Sequence, residues 1–312
     1  MTINKVMLAA LKALSYPDLH VKKTYKLQRQ WDNIMTGQVS SAKHLFQDWR
    51  VPKGETSVPV RIFFPDIEER LCPPVLLFFH GGGWVKGDIN SYTRVCSVLA
   101  QNLNMVVISV DYRLAPEYRF PLGLEDCYYV AKSLYCHGFP FRVKPEEVVL
   151  MGDSAGGNLA AAVSQMARDK GEFEVKQQIL LYPAAFNDHS ESSPFASVHE
   201  NGTDYLLTSK RVCDYMDMYA SKPSDKQNPY FAPLLAKSLA NQPRTLILTA
   251  QYDPLRDEGE AYGIRLREAG NDVTIVRMRD MLHGYFVLPI HYEPVRYSYE
   301  VIGEFLKGGK TN

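Results

Sequence analysis

Short apolar runs alternate along the chain with longer segments of mixed polarity. The runs are rich in β-branched and aliphatic residues, which predicts buried strands near 45–52, 58–64, 74–80, 105–111, 146–152, 177–183, 245–251 and 273–279. Helical patterns fill most of the gaps, notably 122–137, 156–170, 256–269 and 293–307. Strands that alternate with helices in this way are typical of a doubly wound, mostly parallel sheet. We therefore predict an α/β fold with one eight-stranded sheet flanked by helices.

Two segments do not fit this sheet. Residues 1 to about 44 contain two amphipathic helical patterns, one carried by Val6, Leu8, Leu11 and Leu14 and the other by Trp31, Ile34 and Met35. Residues 186–228, between two predicted strands, are polar and aromatic. A connection of this length inside one domain is usually functional, although a surface excursion with no role in binding would show the same composition.

A glycine-rich motif stands at the end of one predicted strand. The apolar run at 146–151 leads into Gly-Asp-Ser-Ala-Gly-Gly at 152–157, and a helical pattern follows. A Gly-x-Ser-x-Gly motif between strand and helix is a nucleophile elbow, whose tight turn exposes the serine hydroxyl. Glycines two positions before and after the serine avoid clashes between strand and helix. We predict that Ser154 is the nucleophile and that the backbone N–H of Ala155 points toward a developing oxyanion.

A second glycine-rich segment, His-Gly-Gly-Gly-Trp at 80–84, follows the apolar run at 74–79. Three consecutive glycines cost about 0.5–1 kcal/mol each relative to alanine in regular structure. A loop without Cβ atoms lets backbone amides approach a tetrahedral intermediate, whereas a flexible surface loop rarely stands between a buried strand and an aromatic residue. We predict that Gly82 and Gly83 donate hydrogen bonds in an oxyanion hole.

A serine nucleophile needs a histidine base and an acid that orients this base. With this type of elbow, the acid and then the histidine follow the serine along the chain. His283 lies just beyond the last predicted strand and is the predicted base, with His291 as the alternative. Asp253 follows the penultimate predicted strand and is the predicted acid. Asp257 and Glu258 fall in the first turn of the next helix, where the helix dipole favours negative charge.

Five motifs occur in order along the chain, at 80–84, 111–117, 152–160, 253–259 and 283–284. Together they resemble the hormone-sensitive-lipase-like family of α/β-hydrolase carboxylesterases, from about residue 45 to the C-terminus. The resemblance implies a triad of Ser154, Asp253 and His283 and an oxyanion hole formed by the amides of Gly82, Gly83 and Ala155. It also implies that segment 111–117 supports the active-site loops without reacting.

The resemblance further implies how substrate is bound. Residues 1 to about 44 and about 186–228 would form a cap over the active site, and the cap aromatics would wall an apolar pocket together with Trp84, namely Phe186, Phe195, Tyr205, Tyr215 and Tyr219. Trp84 and Tyr285 stand where the family often has phenylalanine, which affects substrate detail and not the chemistry. The implied reaction is hydrolysis of short- to medium-chain carboxylic esters through an acyl-enzyme, without cofactor or metal.

Composition limits the remaining function classes. The chain has 312 residues, of which 46% are hydrophobic, enough for one large core, and we predict a single domain over residues 1–312. The 35 basic and 35 acidic residues cancel, and no basic run indicates nucleic acid or anionic lipid. Five cysteines without metal-ligand spacing predict free thiols in a reducing cytoplasm. No segment reaches the ~18 consecutive apolar residues of a membrane span.

Two other functions remain open at this stage. The loop at 80–84 also resembles the His-Gly-Gly-x-Trp loop of arylformamidases, which cleave an N-formyl amide with the same triad. Plant hormone receptors that resemble the family bind ligands without catalysis, but they lack the catalytic histidine.

A homodimer through an edge strand near the C-terminus is expected by analogy alone.

Overall fold

Eight strands form one sheet in the order β1–β2–β4–β3–β5–β6–β7–β8. The computed structural model describes residues 9–10, 12–13, 15, 21–36, 46–66, 72–136 and 139–308. The strands are β1 (Phe46–Lys53), β2 (Thr56–Phe63), β3 (Val75–Phe79), β4 (Val106–Val110), β5 (Val148–Asp153), β6 (Gln177–Leu181), β7 (Arg244–Tyr252) and β8 (Val273–Leu282). Strands β1 and β2 are antiparallel to their neighbours, and the others run parallel. The predicted α/β sheet is confirmed.

Helices connect the strands and cover both faces of the sheet. They are α1 (Val21–Thr36), α2 (Thr93–Leu103), α3 (Leu122–Cys136), α4 (Ala155–Lys170), α5 (Ala196–Glu200), α6 (Ser209–Tyr219), α7 (Arg256–Glu268) and α8 (Glu293–Leu306). Strands β3, β4 and β5 are buried along their whole length because helices lie on either side of them. Two large apolar clusters result, one on each face. The carboxyl ends of the parallel strands therefore meet at one edge, where α/β proteins place their sites.

The strand boundaries agree with the sequence to within two residues, except at the end of β8. This strand was expected to end at residue 279, but it continues to Leu282, the residue before His283. Its pairing with β7 shifts register between Ala250 and Tyr252, and Asp280 has a φ of 58° there. The irregularity adds residues to β8 and directs the chain back over the carboxyl edge of the sheet.

The two segments outside the sheet contact each other. Helix α1 confirms the second N-terminal helical pattern, whereas Val6, Leu8, Leu11 and Leu14 of the first pattern lie outside the described residues. Segment 186–228 contains α5 and α6. Lys22 of α1 forms ion pairs with Asp214 and Asp217 of α6, at 3.1 and 2.7 Å. Within the described part of the chain, no helix combines the length and the apolar character of a membrane crossing.

Helix α1 is also fastened to the body of the protein. Arg29 donates through Nε to the carbonyl oxygen of Val85 at 2.6 Å and through Nη2 to that of Ala115 at 2.7 Å. The Arg29 guanidinium also pairs with Glu117 at 3.0 Å. Although partial burial raises the pKa of Glu117, hydrogen bonds from Arg29 and other donors outweigh it and the net pKa is lowered. One arginine thus joins α1 to two loops near the carboxyl edge of the sheet.

Candidate active site

Ser154 occupies the tight turn between β5 and α4. Its backbone has φ 55° and ψ −118°, a conformation that non-glycine residues rarely adopt and that costs about 1–3 kcal/mol. The turn is held because the Ser154 N–H donates to the Leu181 carbonyl of β6 at 2.8 Å. Ser154 therefore projects from the carboxyl edge of the sheet, as the elbow motif predicts.

The close approach of α4 to the sheet explains one glycine of the motif. A Cβ added at Gly156 would overlap the carbonyl oxygen of Phe79 in β3. Any larger residue at this position would push α4 and its N-terminal amides away from the sheet. The contact with Phe79 therefore gives a specific reason why glycine is required two positions after the serine.

The predicted base and acid lie next to Ser154. His283 Nε2 is 2.8 Å from Ser154 Oγ, and His283 Nδ1 is 2.7 Å from Asp253 Oδ2. Asp253 is fully buried, and its Oδ1 accepts a hydrogen bond from the Leu255 N–H at 2.9 Å. The ring of Tyr182 packs edge-on against the imidazole, with centroids 4.9 Å apart. A continuous hydrogen-bond chain thus joins Asp253, His283 and Ser154.

The rival residues are elsewhere. His291 is exposed in the turn before α8 and is not among the residues that line the cavity around Ser154. Asp257 lies in the first turn of α7, as expected, and accepts a hydrogen bond from the Ser197 N–H at 2.7 Å. The carboxylate of Glu258, in the same turn, is fully buried and lies 2.6 Å from His189 Nε2. Glu258 thus anchors the chain after β6, a contact that its position in a first helical turn did not predict.

The glycine-rich loop after β3 faces the serine. Gly82 and Gly83 have φ of 113° and 63°, and both line the same cavity as Ser154 and Ala155. Within the loop, His80 Nδ1 lies 2.8 Å from the carbonyl oxygen of the next residue, Gly81. Burial lowers the pKa of His80 to about 4, so this imidazole is neutral and serves as a fixed support.

Segment 111–117 touches this loop from the other side. The Tyr112 hydroxyl donates to the carbonyl oxygen of His80 at 2.7 Å, and the Ala115 N–H donates to that of Trp84 at 2.9 Å. These contacts are of the kind that the family resemblance implied for the segment.

The cavity in front of Ser154 has a volume of about 230 Å³. Its walls are largely apolar and include Leu207, Val212, Tyr215, Leu255 and Val287. The ring of Tyr215 lies against the glycine-rich loop at 80–84, since a Cβ built on Gly83 would be 2.5–2.7 Å from three of its ring carbons. Helix α6 therefore contributes one wall of the cavity and contacts the loop directly.

Most of the aromatic residues expected to wall the pocket do not line it. Tyr219 stacks on the Trp84 indole with centroids 4.6 Å apart, and Phe231 packs against both rings. Phe186 packs edge-on against Phe195, and Tyr205 stacks on Tyr252. Only Tyr215 and Trp84 of the expected set line the cavity, and Trp84 is 3% exposed. Polar and aromatic composition could not distinguish rings that face substrate from rings that pack behind the wall.

Sequence reasoning did not single out Asp153 or Tyr92. The Asp153 carboxylate accepts hydrogen bonds from the Gly81 N–H at 2.8 Å and from the Tyr92 hydroxyl at 2.9 Å. Burial raises the pKa of Asp153 to about 6, although both hydrogen bonds oppose this shift. A charged residue at the end of an otherwise apolar strand run was the available signal, because burial of a charge requires partners.

A mostly parallel sheet with a serine elbow after β5 and a histidine after β8 defines an α/β-hydrolase. The family model of the alpha/beta hydrolase fold matches residues 76–287. The chain is 34% identical over 244 residues to an arylesterase of Saccharolobus solfataricus, with 78% of each chain covered. It is 37% identical over 235 residues to the esterase LipI of Mycobacterium tuberculosis, covering 73% of this chain and 71% of that protein.

Solved structures agree with these sequence relatives. The hyperthermophilic esterase from the archaeon Pyrobaculum calidifontis superimposes with a TM-score of 0.84 at 34% identity, with 99% of both chains covered. The chain belongs to the hormone-sensitive-lipase-like family of α/β-hydrolase carboxylesterases, and the protein is an ester-hydrolysing enzyme.

Proposed function

We propose that the protein is a serine carboxylesterase in which Ser154, His283 and Asp253 form the catalytic triad. One observation carries this assignment: the hydrogen-bond chain from Asp253 Oδ2 through both ring nitrogens of His283 to Ser154 Oγ, with distances of 2.7 and 2.8 Å. With Nδ1–H donating to the carboxylate, Nε2 is free to accept the serine proton. An exposed His291 has no such partners among the described residues.

The reaction then proceeds in two halves. Ser154 Oγ attacks the ester carbonyl while His283 Nε2 takes its proton, and Asp253 stabilises the imidazolium that forms. The tetrahedral oxyanion accepts hydrogen bonds from the amides of Gly82, Gly83 and Ala155, each worth about 3 kcal/mol in the transition state. His283 returns the proton to the alcohol as the C–O bond breaks. Water then cleaves the acyl-enzyme by the same steps and restores Ser154.

Short- to medium-chain acyl esters are the proposed substrates. A cavity of about 230 Å³ with largely apolar walls supports a small apolar acyl group and few polar contacts. The part of the cavity wall that α6 forms supports a further proposal. The chain is a single domain, and its residues 1 to about 44 and about 186–228 act as a cap over the active site. The Tyr215 contact with the oxyanion loop, and the Arg29 contacts behind it, are the observations in its favour.

Hydrolysis of p-nitrophenyl esters from acetate to decanoate tests the proposal, with Ser154→Ala beside the wild type. Ser164→Ala is the matched control, because Ser164 is a buried serine of the same helix α4, outside the cavity around Ser154. We expect a short-chain optimum, loss of activity in Ser154→Ala and full activity in the control. Undiminished activity in Ser154→Ala would overturn the assignment, and fastest turnover of decanoate would overturn the substrate class.

The N-formyl amide alternative is tested by comparing an amide substrate with an ester substrate on the same enzyme. The relatives compared above carry the names of esterases, which supports the ester. We expect N-formylkynurenine to be turned over much more slowly than p-nitrophenyl acetate. A strong preference for the amide would contradict the proposal.

Two further expectations belong to this proposal. The five cysteines are all free thiols, which supports a reducing compartment such as the cytoplasm. Cell fractionation tests this location.

Strand β8 lies at the edge of the sheet and could pair with the β8 of a second copy. Light scattering after gel filtration would detect the homodimer, and a monomeric mass would exclude it at the concentration used.

A further inference from the structure

Asp153 and Tyr92 join the two loops on which the proposed mechanism depends. Asp153 is the last residue of β5 and directly precedes Ser154, while Tyr92 lies just before α2. The Gly81 N–H donates to Asp153 Oδ1 at 2.8 Å, and the Tyr92 hydroxyl donates to Asp153 Oδ2 at 2.9 Å. The Tyr92 oxygen also lies 3.2 Å from the Gly81 nitrogen. Two donors from separate parts of the chain thus meet at one buried carboxylate.

We propose that Asp153 and Tyr92 are positioning residues that hold the oxyanion loop against the nucleophile elbow, and that the ionised Asp153 carboxylate makes this hold effective. Neither residue reacts with substrate. The inference rests on the proposed function, because it concerns the distance between the amides of Gly82 and Gly83 and the carbonyl that Ser154 attacks.

Gly81 packs closely against both side chains. A Cβ on Gly81 would lie 2.6 Å from Asp153 Oδ2 and 2.9 Å from the Tyr92 oxygen. The backbone of the loop is therefore in direct contact with the two side chains, and a change in either moves Gly81. The donors Gly82 and Gly83 follow at once along the chain, so displacement of Gly81 displaces them. Misplacement by about 1 Å near a reacting centre can cost about a hundredfold in rate.

The charge of Asp153 matters for two reasons. A hydrogen bond from an N–H to a carboxylate is about twice as strong as one to a neutral acceptor, so ionisation tightens the contact with Gly81. The carboxylate also interacts favourably with a protonated His283, the form of the base that develops in the transition state. Both effects make the ionised form of Asp153 the more active one.

Apart from His283, the titratable groups that face Asp153 in the described part of the chain supply no compensating charge. Burial raises the pKa of the Cys96 thiol to about 12 and those of the Tyr92, Tyr112 and Tyr182 phenols well above their usual value. These four groups are therefore neutral across the working pH range, so that His283 is the facing group among the described residues whose positive charge Asp153 attracts. Because the pKa of Asp153 is raised to about 6, its carboxylate is ionised above that pH and protonated below it.

The test compares wild type with Asp153→Asn on phenyl acetate, whose product phenol remains protonated throughout the pH range. Asparagine copies the shape of the protonated carboxyl, so the variant is fixed in the weaker state. We expect a kcat about ten- to a hundredfold below wild type at about pH 8, with KM little changed. The ratio of the wild-type kcat/KM to that of Asp153→Asn should fall toward one below pH 5, and the midpoint of this fall should lie near pH 6.

Two further variants separate positioning from a general loss of structure. Tyr92→Phe removes a hydrogen bond that favours the ionised carboxylate, so the midpoint of the acid decline should move to higher pH. Tyr262→Phe is the control, since Tyr262 is a fully buried phenol hydrogen-bonded to Gln165 and does not line the cavity. Its pH profile should match wild type.

Active sites are counted by stoichiometric labelling with paraoxon, so that each rate refers to folded enzyme. A ratio of wild-type to Asp153→Asn kcat/KM that stays constant with pH, with each rate divided by the active sites counted on a separate portion of the enzyme, would overturn the inference alone. A wild-type protein that paraoxon does not label would overturn the proposed nucleophile, and the inference with it.

Discussion

Replacement of Tyr215 by alanine should lengthen the acyl chain that the enzyme accepts. Tyr215 projects from α6 into the cavity, and its ring lies against Gly83 of the oxyanion loop. This ring and the aliphatic side chains beside it line the wild-type cavity of about 230 Å³. Removal of the ring opens the cavity along α6, where an acyl chain longer than butyrate would be buried.

The expected magnitude follows from the buried length. Each methylene removed from water contributes about 0.8 kcal/mol. A hexanoyl group has two methylenes more than a butyryl group, so full burial of both is worth about 1.6 kcal/mol, or roughly fifteenfold in kcat/KM. We therefore expect the ratio of kcat/KM for hexanoate to that for butyrate to rise about fifteenfold in Tyr215→Ala.

The assay is hydrolysis of p-nitrophenyl butyrate and hexanoate at concentrations below KM. Tyr205→Ala is the matched control, because Tyr205 lies in the same segment but stacks on Tyr252 away from the cavity. A ratio that changes by less than about twofold in Tyr215→Ala, or equally in both variants, would refute the assignment of the α6 wall to the acyl chain.

Five other substitutions test the site and its scaffold. His283→Ala should lower kcat by several orders of magnitude while His291→Ala leaves it unchanged; the reverse result would move the base to His291. Asp253→Asn should lower kcat about 10⁴-fold because the imidazole loses its orienting carboxylate, whereas Asp257→Asn should be mild in the same ester assay. Gly156→Ala should lower the thermal midpoint or prevent folding, since its Cβ would overlap the Phe79 carbonyl; a wild-type melting curve would show that the contact is not tight.

Much of the fold could be predicted from the sequence because its strands are buried on both faces. Strands β3, β4 and β5 read as unbroken apolar runs, and helices on both sides bury every residue in them. Strand β8 lies at the sheet edge, where exposed positions such as Arg277 interrupt the apolar pattern. Its end at Leu282 was missed because the strand continues past the irregularity at Asp280, which no pattern in the sequence indicated.

The candidate triad could be predicted because each member ends or follows a recognisable strand. The supporting pairs could not, because their partners are distant in sequence and meet only through the fold. Asp153 and Tyr92 are 61 residues apart, and His189 in the loop that follows β6 meets Glu258 of α7. No local pattern links such residues. The prediction that the aromatic side chains of 186–228 wall the pocket was mostly wrong for a related reason, because the direction in which they point depends on how α6 packs.

The most direct test of the central claim is to locate the covalent intermediate. The enzyme is incubated with paraoxon, which transfers a diethylphosphoryl group to an activated serine, and the labelled peptide is identified by mass spectrometry. The account predicts one label per chain, on Ser154, that appears in step with loss of esterase activity and is absent in His283→Ala. Complete inactivation with the label on another residue, or full esterase activity in a protein labelled at Ser154, would contradict it.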